Sequence, residues 1–237
     1  MDDNLDSLHL FEEKLRTEHK TLVQTREDLS DHVALVKSAM NILYSLTKEH
    51  DHRSDDELTL QLLGLRLFNT MAASIKLAYA GYYQNAFSAL RDFLECYFLL
   101  DYLVAHPEEI AAWRVADKET LKNRYGPSAI RQALDKRDGL TQNKRKELYD
   151  LMSHVATHAT PSGLRLAAKD GMGEIGPFYD ENKFQAWAEE AAKMAGHAGV
   201  IFSQAMKNPD RKLLPIKVAY MEKLGVWRQK YLPGGNP

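Results

Sequence analysis

From Leu5 onward apolar residues recur at helical spacing, and no Gly or Pro occurs before Gly64. Leu8, Leu15, Leu22, Leu29, Val36 and Leu43 fall seven residues apart, the period of a coiled-coil seam. Phe11, Val33 and Met40 fit a companion line, which Glu18, His19, Thr25 and Arg26 interrupt. As one helix, residues 5–48 would be about 66 Å long. A compact domain of this length is only roughly 45 Å across. The helix must bend or break near Leu29–Ser30, or carry its N-terminal half to a partner. We read residues 1–50 as a long N-terminal helix that acts as a homodimerisation arm.

Beyond the connector His50–Arg53, Ser54-Asp55-Asp56-Glu57 reads as a capping box, with Ser54 as N-cap and Glu57 reaching back. It opens a helix over 55–80 that Gly81 breaks. The next helix, 82–105, is apolar nearly all round and belongs at the centre of a bundle. It stops at Pro107, which opens a short helix through Trp113. Gly126-Pro127 starts another short helix, and Gly139 ends it. Thr141 begins a helix to about residue 158. Six Gly and Pro residues between 161 and 177 predict a loop or small hairpin over 159–179. Asp180 caps a helix to about 206, and Pro215 precedes a last one to about 231. The expected fold is therefore all-α, a bundle of about seven or eight helices. The body spans 54–231, and 232–237 form a frayed tail.

Composition agrees: 44% of the 237 residues are hydrophobic and 27% charged, ordinary values for a globular domain. One cysteine, Cys96, rules out a disulfide scaffold and a cysteine-built zinc site. The acidic start Met1-Asp2-Asp3 lacks the features of a signal peptide. The longest uncharged stretches, 77–90 and 194–206, fall short of the ~20 residues that span a bilayer. A cytoplasmic protein with no membrane contact is expected. The net charge of −2 is unevenly spread. Residues 1–60 carry 14 acids and 7 bases, 118–147 carry 9 bases and 4 acids, and 207–231 carry 7 bases and 2 acids. The two basic stretches are either solvated helix faces or a surface for a protein partner, an anionic ligand or RNA. The acidic N-terminus could instead dock on one of them.

Two constellations carry candidate chemistry. On the central helix Gln84, Ser88, Arg91 and Glu95 are spaced by 4, 3 and 4, which puts all four on one face. They form either a wet stripe with an i,i+4 pair or a polar ridge facing a cleft, where Arg91 offers its fork of donors to phosphate or carboxylate. In the second, Tyr149 and Ser153 share a helix face, and His154 and His158 share the neighbouring one. Two histidines at i,i+4 match part of a zinc-protease helix, but Val155 stands where its glutamate is required, so no metal is assigned. Gly171-x-Gly173-x-x-Gly176 matches a dinucleotide fingerprint only in letters: no βαβ unit surrounds it. His50, His52, Asp55 and Asp56 are ligand types at a connector where acids are expected anyway. No P-loop and no nucleophile elbow occurs, and no cofactor is expected.

Ala86-Phe87-Ser88-Ala89-Leu90-Arg91-Asp92-Phe93-Leu94-Glu95, with Tyr149, Met152, Ser153, His158 and Pro161, resembles a class of uncharacterised bacterial all-helical proteins. More distantly the chain resembles the HEPN superfamily of small helical bundles. That resemblance implies dimers, a role in stress or defence, and in many members a metal-independent ribonuclease. The superfamily places an arginine four to six residues before a histidine. Here Arg145 lies nine before His154, so such a site would join Arg91 to His154 or His158 across helices. Two functions follow. One is a non-enzymatic binding or regulatory module with a polar cleft around Arg91, Glu95 and His158, its ligand contacts including Ser88, Tyr149 and Ser153. The other is a ribonuclease with Arg91, His154 and His158 as catalytic groups.

Overall fold

A computed structural model describes residues 5–142, 144–157 and 160–232. The fold is an all-α bundle: α1 (Leu5–Thr25), α2 (Glu27–Lys48), α3 (Asp55–Tyr79), α4 (Tyr83–Ala105), α5 (Glu109–Arg114), α6 (Lys118–Asn123), α7 (Pro127–Arg137), α8 (Lys144–Met152), the single turn α9 (Pro161–Leu164), α10 (Glu181–Ala205) and α11 (Leu214–Tyr231). A π-helical turn, Ser153–Thr157, extends α8. The Gly/Pro-rich segment contains a small antiparallel hairpin, β1 (Ala168–Lys169) and β2 (Met172–Gly173). Its fingerprint glycines Gly171, Gly173 and Gly176 are exposed with open space around them. The tail 233–237 lies outside the described residues.

The long N-terminal helix is two helices, broken at Arg26, three residues before Leu29. Arg26 has extended backbone, φ −114° and ψ 116°. Its guanidinium donates to Asp28, to Glu181 (2.6 Å) and to Gln185 (2.9 Å), which ties the break to the start of α10. The seam then closes on its own chain. Leu15, Leu22, Leu29, Val36 and Leu43 are all buried. The interruption at His19 is a docking point. His19 is fully buried, bonded at Nε2 to the Tyr83 hydroxyl (2.9 Å) and at Nδ1 to the Leu15 and Tyr79 carbonyls.

Capping follows the sequence closely. Ser54 accepts from Glu57 N–H at 3.1 Å, while the Glu57 carboxylate accepts from Arg53 N–H and His50 Nε2. Asp180 accepts from Lys183 N–H at 3.0 Å. α3 and α4 form an antiparallel hairpin joined by Ser74, which donates to Ala86 O and accepts from Trp187 Nε1. Gly81 makes the turn with φ +88°, and a Cβ there would sit 2.5 Å from Phe178 O. Only glycine tolerates both conditions. α4 lies at the centre against α3, α7, α8 and α10. Its buried face includes Phe87, Leu90, Phe93, Leu94, Tyr97 and Leu100.

The last helix resolves part of the charge asymmetry. α11 lies on α2, where Lys230 pairs with Glu27 and Asp31, Tyr231 donates to Asp31, and Trp227 donates to His32 Nδ1 at 2.9 Å. The acidic N-terminal region thus docks on the C-terminal basic stretch within one chain. Among the described residues no helix is long and apolar enough to cross a membrane.

Candidate functional site

The polar stripe of α4 is partly buried against the chain itself. All four of its side chains grip one segment, Tyr149–Ala156. Gln84 and Ser88 both donate to Ala156 O, at 3.5 and 2.7 Å. That carbonyl lies at the end of the α8–π element, where helical carbonyls lack partners of their own. Arg91 Nε donates to Ser153 Oγ at 3.0 Å, and its Nη2 donates to Glu95 Oε1 at 2.9 Å and to the Tyr149 hydroxyl. Tyr149 in turn donates to Glu95 Oε1 at 2.7 Å. Arg91, Glu95 and Tyr149 therefore close a triangle of hydrogen bonds. Arg91 and Glu95 are each 24% exposed at the side chain.

Met152 and Ala156 are buried and supply the apolar share of this contact. The π-helical turn sits where the grip is tightest, and such turns gather at functional sites. Beside it lies an open depression of about 510 Å³ lined by Tyr149, Asp150, Leu151, Ser153 and His154. His154 is exposed there, and its carbonyl accepts from Thr160 at 2.6 Å. His158 lies outside the described residues. The structure thus brings Arg91, Glu95, Tyr149 and Ser153 into direct contact. Ser88 joins them through Ala156 O, and His154 sits at the rim.

Arg131 was not legible as a site residue, because it falls in a basic stretch that reads as a solvated face. It is only 8% exposed, and its Nη1 has no hydrogen-bond partner among the described residues. Its guanidinium stacks 3.8 Å from the Tyr149 ring centroid, while that of Arg91 lies 5.0 Å from the same centroid. Nearby acids are engaged elsewhere: Asp135 pairs with Arg145 at 2.7 Å, and Asp150 with Lys146. Two guanidinium groups therefore face one ring, and Glu95 bonds one of them, Arg91.

Other cations of the basic stretches are used inside the fold. Arg124 pairs with Glu109, Arg137 with Asp101 and Asp138, and Lys217 donates to the Ser203 and Met206 carbonyls. Among the described residues no group of three or more His, Cys, Asp or Glu is placed to hold a metal ion. His50 bonds Glu57, and Asp56 bonds Arg114. No family model, no curated protein and no solved structure matches the chain.

Proposed function

We propose that this chain is a non-enzymatic helical binding module, and that the clamp between α4 and Tyr149–Ala156 recognises an anionic group. The observation that carries this reading is the charge imbalance at Tyr149. Arg91 and Arg131 flank one ring, Glu95 answers only one of them, and Arg131 Nη1 is buried without a partner among the described residues. A buried donor without an acceptor is costly, so an anion reaching this point gains a partner that the described residues do not supply. A guanidinium fork suits phosphate or carboxylate. His154 lines the depression that shares Tyr149 and adds a further donor there.

Binding is favoured over catalysis because Arg91 is already bonded to three acceptors. Donors spent within the fold are not aimed at developing charge. The second reading is the metal-independent ribonuclease. It is favoured by one observation: exposed His154 follows Ser153, which holds Arg91. Pairing of two copies belongs to the part of the arm not spent internally, the exposed Leu5, Leu10 and Phe11.

Calorimetric titration with inorganic phosphate and a nucleoside 5′-monophosphate tests the binding reading. Binding should weaken with salt and fall about tenfold or more in folded Arg131→Met and His154→Ala. No binding by the parent, or equal binding by Arg131→Met, refutes it.

A further inference from the structure

A second cavity, of about 210 Å³, lies on the other side of Glu95, between the α3–α4 hairpin and the α5–α7 cap. Phe98, Leu99, Trp113, Tyr125 and Ile130 give it a largely apolar, aromatic wall. Two charged groups also line it, Glu95 and Arg66. Each has unused capacity. Among the described residues Glu95 is bonded through Oε1, and Oε2 has no hydrogen-bond partner. Among the described residues Arg66 bonds Asp92 through Nη2 alone, and its side chain is 60% exposed, so the remaining donors are open to a ligand. The Cys96 thiol in the wall is pushed up to about 12 by burial, so it stays neutral and adds no competing charge.

These features define a ligand. The space equals roughly seven water volumes, too small for a drug-sized molecule and suited to a small metabolite. An aromatic wall with one carboxylate favours an ammonium group, which gains both the ion pair and the ring faces. A guanidinium with free donors at the opening favours a carboxylate. We infer that this cavity binds a small zwitterion with an apolar body, an α-amino acid with an aromatic or branched side chain. Its ammonium meets Glu95 Oε2, and its carboxylate meets Arg66. The site is separate from the anion site and shares only Glu95 with it. If the clamp is that anion site, an occupant here draws on the carboxylate that holds Tyr149 and Arg91.

The test is calorimetric titration of the full chain with L-phenylalanine, phenethylamine and 3-phenylpropionate. L-phenylalanine should bind with a Kd in the millimolar range or below. Phenethylamine should bind several-fold more weakly, and 3-phenylpropionate not at all. Glu95→Gln should lose about tenfold in affinity for L-phenylalanine, or about 1.4 kcal/mol. Trp113→Ala leaves the clamp untouched and should show a comparable loss. Failure of L-phenylalanine to bind overturns the inference, as does unchanged affinity in Trp113→Ala. So does binding of 3-phenylpropionate as tight as that of the amino acid. Phosphate binding measured in the same samples reports on the anion site separately, so either proposal can fail alone.

Discussion

Replacing Arg91 by Met keeps an unbranched apolar stem and removes the guanidinium that ties α4 to Ser153, Tyr149 and Glu95. A hydrogen bond to a charged group contributes about 1.5–3 kcal/mol. Three bonds sharing one guanidinium do not add independently, and the partial exposure of Arg91 and Glu95 screens their ion pair. Removing one partner also strands Glu95, which keeps only Tyr149. The loss for the whole side chain comes to about 3 kcal/mol. It should fall locally, because the clamp holds one segment. Opening of that segment would then be favoured about a hundredfold. Native-state hydrogen exchange reads this directly. Amides of Leu151–Ala156 should exchange about a hundredfold faster in Arg91→Met, while those at the centre of α10 stay near their parent rates. Unchanged exchange over Leu151–Ala156, or equal acceleration throughout the protein, would refute the clamp.

Three further outcomes are expected. Burial holds the pKa values of His19 and His32 below the ordinary 6.5, so the unfolded chain takes protons first. Stability should be full above pH 6.5 and decline as pH falls through that value; thermal melts across roughly pH 5–8 would show it, with a shallower decline in His19→Gln/His32→Gln. In Gly64→Ala a Cβ would lie 2.3 Å from the buried Phe202 ring, an overpacking cost of about 1–3 kcal/mol that outweighs the ~1 kcal/mol gained in helix propensity, so denaturant midpoints should fall. Ser54→Ala removes the cap on Glu57 N–H and should cost about 1 kcal/mol in the same assay.

Helix boundaries were legible wherever a backbone signal stood at the end. Ser54, Gly81, Gly126-Pro127, Gly139 and Asp180 each mark a terminus that the structure keeps. The break at Arg26 was harder. Its trace was the interrupted companion line over Glu18–Arg26, but the force behind it comes from Glu181 and Gln185, more than 150 residues away. Spacing placed Gln84, Ser88, Arg91 and Glu95 on one face, and Tyr149 and Ser153 on another. That the two faces meet is a tertiary fact that no periodicity carries. Arg131 shows the opposite limit: a cation in a charged stretch reads as solvated, and only the stacked Tyr149 ring explains its burial.

The central claim is recognition of an anionic group at the clamp without turnover. It is tested most directly by incubating a labelled RNA oligonucleotide with the protein in EDTA, reading binding and cleavage together. The parent should bind in a salt-sensitive manner and leave the RNA intact, and a folded His154→Ala variant should bind more weakly. Cleavage by the parent that disappears in folded His154→Ala would contradict the account and establish the ribonuclease in its place.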